Sequence, residues 1–171
     1  IGLAPGAPND TDAPTITIDP ADNTANVAVG SNLTLTANEA VRLLNDAALT
    51  DENVDALIRL KDTWADGENI PFDATVSGNV ITINPTSDFS SLQQVYVGIG
   101  ASIEDTSGNA ISATSATFTT ADTVAPVVAL TSNASNPQSG LFTVTATFDE
   151  AVTGFEIGDI SLNNATTSNF I

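Results

Sequence analysis

The sequence predicts an all-β protein built as tandem antiparallel β-sandwiches, the first with one short helical insertion and the second incomplete. Three observations carry this. Short runs of alternating apolar and polar residues recur at nearly even spacing, with turn residues between them, as strands with one wet face do. A phrase also occurs twice: Asp10-Thr11-Asp12-Ala13-Pro14 returns as Asp122-Thr123-Val124-Ala125-Pro126, and Glu-Ala-Val follows as Glu39-Ala40-Val41 and Glu150-Ala151-Val152. The second motif lies 25 residues after Pro14 and 24 after Pro126, so two motifs keep their spacing and mark related modules. Finally, only 50 residues follow Ala121, too few to bury both faces of an open half-sandwich. The expected division is a flexible linker over 1–9, a first domain over 10–121 and the first part of a second over 122–171.

The elements follow in order. Pro5, Gly6 and Pro8 among small residues make the first nine positions linker-like. Thr15 to Ile18 alternates as a strand until Asp19-Pro20-Ala21-Asp22-Asn23 breaks it, and Val27 and Val29 resume an edge. Asn32 to Ala37 puts Leu33, Leu35 and Ala37 on one face. Thr50 is a helix N-cap, with Asp51 and Glu52 complementing the dipole of a short helix. A strand is expected from about Ile58, a loop at Asp66 to Asn69 and a strand from Ile70 to Val76. Ser77-Gly78-Asn79 then turns the chain into Val80 to Ile83. Pro85 to Ser90 crosses, Gln94 to Gly100 alternates with Val95, Val97 and Ile99 inward, and Ala113 to Thr119 closes the domain. In the second copy, strands are expected at Val127 to Leu130, Leu141 to Phe148 and Ile157 to Leu162.

Composition removes several functions. Three Lys+Arg against 21 Asp+Glu give a formal charge of −18, which repels nucleic acid and anionic membranes and suits metal cations. Without histidine or cysteine the chain lacks the usual general base, the usual transition-metal ligands and thiol chemistry. Catalysis would need a carboxylate pair, and nothing places two across a cleft, so the chain reads as no enzyme. No run is long and apolar enough to span a membrane, and no signal peptide is visible.

The residues quoted, with Pro20-Ala21-Asp22-Asn23, Val27-Ala28-Val29, Leu33-Thr34-Leu35-Thr36 and Ile103-Glu104-Asp105-Thr106-Ser107-Gly108-Asn109-Ala110, resemble the bacterial Ig-like domains of surface-layer proteins. Phe148-Asp149-Glu150-Ala151-Val152-Thr153-Gly154-Phe155 with Asp159-Ile160 resembles the related modules of large bacterial adhesins. The resemblance implies immunoglobulin-like β-sandwiches in an exported, multi-domain cell-surface protein whose joints calcium stiffens. It places the loop from Glu104 to Asn109 and the loop after Glu150 at the ends of their sandwiches. The joint would then use Glu104, Asp105, Asp122, Glu150 and Asp159. A counterpart at the N-terminal edge would use Asp10 or Asp12 with Glu39 and Asn53, which matches Asp159 when Leu49 is laid on Phe155. Ca²⁺ takes six to eight oxygen ligands, and acidic loops with a permissive glycine supply them. The plain alternative is solvated acids in turns that need no metal.

Two functions compete. One is a structural spacer of the surface-layer or adhesin type; its partners are neighbouring Ig-like domains, and its incomplete domain is open to strands shared by another copy. The other is a carbohydrate- or protein-binding module using the excursion from Thr50 to Asn69. There, Trp64 is either packed against the domain edge or a sugar-stacking platform.

Overall fold

The computed structural model describes residues 10–135, 140–163, 166, 167 and 169; the expected 1–9 linker lies outside them. The chain divides between Thr123 and Val124 into two units.

In the first unit a four-stranded sheet has the order β1 (Ile16–Asp19), β2 (Leu33–Ala37), β6 (Val80–Pro85), β5 (Phe72–Ser77). A three-stranded sheet runs β4 (Ile58–Asp62), β7 (Gln94–Ile99), β9 (Thr114–Thr119). A short pair, β3 (Arg42–Leu43) with β8 (Ile103–Glu104), joins the loops at one end. All these pairings are antiparallel. Period-two alternation sends Leu33, Leu35, Ile81 and Ile83 inward from the first sheet. Leu60, Val95, Val97 and Phe118 face them from the second, and together they form one core. Phe89, from the crossing before β7, packs edge-on against Phe118 with ring centroids 5.7 Å apart. Its backbone N–H donates to the Val29 carbonyl at 2.9 Å, which fixes the crossing over the core.

The helix is short, as its start signal suggested. α1 spans Asp51–Val54 and passes into a 3₁₀ turn at Asp55–Leu57. Its acids do more than complement a dipole. Asp51 Oδ1 accepts the Val76 N–H at 2.8 Å and Asp55 Oδ1 accepts the Ala74 N–H at 2.9 Å. One helical turn between carboxylates thus matches two residues along β5, and the outer edge of the sheet is sealed by side chains.

Among the departures from expectation in this unit are one strand start and the setting of Trp64. The strand expected from Ile70 starts at Phe72, because Pro71 has no N–H and the Ile70 N–H crosses to the Leu60 carbonyl at 3.0 Å. Trp64 does not pack against the domain edge; it is 63% exposed. It sits on a tight loop in which a Cβ at Gly67 would collide with the Asp62 carbonyl oxygen.

The second unit contains β10 (Val128–Ser132) paired antiparallel with β11 (Val144–Phe148), and its strand residues are mostly exposed. The strand expected at Ile157 to Leu162 does not form; Ile157–Asp159 is a 3₁₀ turn. The reason is local. Asp159 Oδ2 accepts the Glu156 N–H at 2.9 Å, just as Asn53 Oδ1 accepts the Thr50 N–H at 3.0 Å in the first unit. The same side-chain bond starts a helical turn in both copies.

Candidate metal centre

Three segments distant in sequence bring carboxylates together. Asp10 precedes β1, Glu39 follows β2 and Asp105 follows β8, and one oxygen of each lies within 4.8 Å of the others. The backbone explains the convergence. The Thr15 N–H donates to Asn38 Oδ1 at 2.7 Å, and the Asn38 N–H donates to the Thr15 carbonyl at 3.1 Å, so the start of β1 is tied to the residue before Glu39. Asn109 Nδ2 donates both to the Asp10 carbonyl at 3.0 Å and to Asp105 Oδ2 at 2.8 Å, joining the N-terminal segment to the loop after β8.

Asp105 is the fixed member. It is 1% exposed, and its Oδ1 accepts the N–H groups of Ser107 at 2.7 Å and Asn109 at 2.8 Å. Gly108, at φ +91°, supplies the left-handed backbone that closes this turn. Burial pushes the Asp105 carboxyl up, but the hydrogen bonds from Asn109, Ser107 and Gly108 outweigh it and hold the group below the ordinary aspartate value. Glu39 moves the other way. Desolvation raises it first, and the charges of Asp10, Asp105 and Asp12 raise it further. The cluster therefore has one locked carboxylate and one whose ionisation its neighbours oppose. A hard divalent cation would relieve that repulsion, and an all-oxygen donor set fits calcium by its chemistry.

The remaining sequence candidates are placed elsewhere. Glu104, beside Asp105 in sequence, pairs with Arg42, its cross-strand partner, at 3.2 Å. That bridge neutralises it. Asp122 accepts from the Ser91 hydroxyl at 2.8 Å, beside the turn that leads into β7, whereas the cluster lies where β1 starts and β2 ends. The chain leaving β1 reaches Val27 beside Thr120, parallel to the end of β9, so Asp122 is at the opposite end of the sandwich. A six-residue strand, about 20 Å, separates the two positions. The grouping of Glu104 and Asp105 with Asp122 is therefore not made, and Asp105 instead completes the set begun by Asp10 and Glu39. Asp12 flanks that set. Asn53 is held by the Thr50 N–H and the Ala48 carbonyl, Asp159 by the Glu156 N–H, and Glu150 is exposed after β11. The missed signal was strand direction: residues before the first strand and in the loop before the last share one end of a sandwich.

Two family models, each described as a bacterial Ig-like domain, match residues 10–120 and 122–171. No curated protein matches. Among solved structures the chain is similar to Mycobacterium tuberculosis L,D-transpeptidase 1, at 20% identity and a TM-score of 0.40, over 77% of this chain and 48% of that one. The L,D-transpeptidase LdtMt1 in complex with imipenem is similar at 21% identity and 0.41, over 68% and 41%. CopC from Methylosinus trichosporium OB3b is similar at 11% and 0.43, over 66% and 97%. The chain spans less than half the length of either transpeptidase chain, and at these scores no chemistry transfers from any of the three. The family matches cover both units, and the chain belongs to the bacterial Ig-like domains, two in tandem.

Proposed function

We propose that the chain is a non-catalytic spacer of a bacterial cell-surface or secreted multi-domain protein, of the adhesin or surface-layer type, stiffened by calcium. The observation that carries the calcium reading is the convergence of Asp10, Glu39 and Asp105, with Asp105 locked by three hydrogen-bond donors. These residues would hold the ion. It would neutralise their repulsion and tie the segment before β1 to the loops after β2 and β8, stiffening the start of the module. In sequence Asp122 and Glu150 repeat the positions of Asp10 and Glu39, but Asp122 already accepts from the Ser91 hydroxyl, Asp159 from the Glu156 N–H, and Glu104 pairs with Arg42. Family membership supports the spacer role and an extracellular location. No described helix is long and apolar enough to cross a membrane.

A thermal melt of the full chain in EDTA and in millimolar calcium tests this. A calcium-dependent rise in Tm that Asp105→Asn removes is expected, since a ligand that binds only the folded state stabilises it. An unchanged Tm in the parent would eliminate the metal.

A further inference from the structure

The chain has only three basic residues, and they are used unequally. Arg42 is spent on Asp46 and Glu104, at 2.6 and 3.2 Å. Arg59 and Lys61 make no ion pair among the described residues. Both point outward from β4, because Ile58 and Leu60 on the same strand are buried in the core. The registers of the three-stranded sheet set them in two rows across its outer face, Arg59–Gly98–Ser115 and Lys61–Tyr96–Thr117. Tyr96 is laid along the sheet over Gly98: a Cβ there would stand 2.7 Å from the Tyr96 hydroxyl oxygen and 3.1 Å from Cζ. An open groove runs past Arg59, Tyr96, Gly98 and Ser115. Exposed Trp64 stands just beyond this face, on a loop that the Thr63 N–H fastens to the Gln94 carbonyl at 2.8 Å.

We infer that this outer face binds an anionic polysaccharide of the uronate type. A tyrosine laid flat on a sheet offers its π face to the apolar C–H face of a pyranose, and a guanidinium donates two parallel hydrogen bonds to a sugar carboxylate. The ammonium of Lys61, one row along, suits the carboxylate of a neighbouring sugar, and the hydroxyls of Ser115 and Thr117 border the track. Local charge complementarity favours an acidic ligand, because Arg59 and Lys61 make no ion pair among the described residues; the attraction is short-range and acts against the repulsion of a chain of net charge −18. A peptide adding as a strand is disfavoured, since the β4 edge is already engaged: the Asp62 N–H donates to the Glu68 carbonyl and the Leu60 carbonyl accepts the Ile70 N–H.

Calorimetric titration of the full chain with tetragalacturonate in EDTA, which excludes cation bridging and the calcium cluster alike, tests this. Tetragalactose and tetraglutamate are the controls. Saturable binding is expected for the uronate, weaker by about tenfold or more for either control, for Arg59→Gln with Lys61→Gln and for Tyr96→Ala, the worth of one charge-assisted bond. In the unmodified chain the Gly98 and Ser115 amide resonances should shift, locating the site without any variant. Absent saturation, unmoved amides, indifference to the double variant, or equal binding of tetraglutamate would each overturn the proposal.

Discussion

Within the acidic cluster, Glu39 and Asp105 respond to pH in opposite senses. Desolvation and three neighbouring carboxylates raise the pKa of Glu39, so its contribution is fully present below the unfolded value near 4.5 and is lost as pH rises through the raised folded value. Asp105 is depressed by its donors, so its contribution is present above the unfolded value near 3.8 and is lost as pH falls through the folded one. Glu39→Gln should therefore melt higher than the parent in EDTA at pH 7, and the advantage should fade on acidification, once the parent's own Glu39 is protonated. Asp105→Asn should melt lower at pH 7, with the gap closing as the pH drops. A pH series of thermal melts on both variants reads the two signs together, and a Glu39→Gln variant less stable than the parent in EDTA would remove the repulsion argument.

At the scale of elements, α1 covers an edge. Asp51 and Asp55 take the place of a strand beside β5, satisfying the Val76 and Ala74 N–H groups that would otherwise template pairing with another chain. Asp51→Ala with Asp55→Ala should lower unfolding stability by about 1–2 kcal/mol in urea titrations and raise the rate of aggregation. Loss of stability without added aggregation would mean that the bonds hold the helix but do not guard the sheet. The sequence could not show this role, because the donors and acceptors lie far apart along the chain and no local pattern links them. Alternation at Leu33, Leu35 and Ala37 and at Val95, Val97 and Ile99 was legible, since burying one face of a strand forces a period of two. Two-residue β3 and β8 are too short to show any period. At Ile157 to Leu162 periodicity misled while the repeat did not: laying Leu49 on Phe155 pairs Asn53 with Asp159, the residues whose side chains start a helical turn in each copy. For the acidic cluster, the residue types were readable and the grouping was not, because grouping depends on which strand ends share a pole.

For the whole molecule, charge is the dominant field. With 21 acids against three bases, one of them already paired, the folded chain holds its carboxylates closer together than the unfolded chain does, and the excess repulsion destabilises it. Screening should relieve this, since the Debye length shrinks from about 30 Å at 0.01 M salt to about 3 Å at 1 M. Tm should therefore climb with sodium chloride and flatten once the remaining pairs are screened. A specific calcium site at the acidic cluster would behave differently, because the carboxylates there lie within 4.8 Å of one another, and bulk salt would not replace an ion held between them. Millimolar calcium added on the high-salt plateau should still raise Tm in the parent and leave Glu39→Gln unmoved, whereas magnesium at equal ionic strength, reluctant to shed its water, should do little. If calcium's effect vanishes on the plateau, its action on this chain is diffuse screening, and the proposed metal stiffening is overturned.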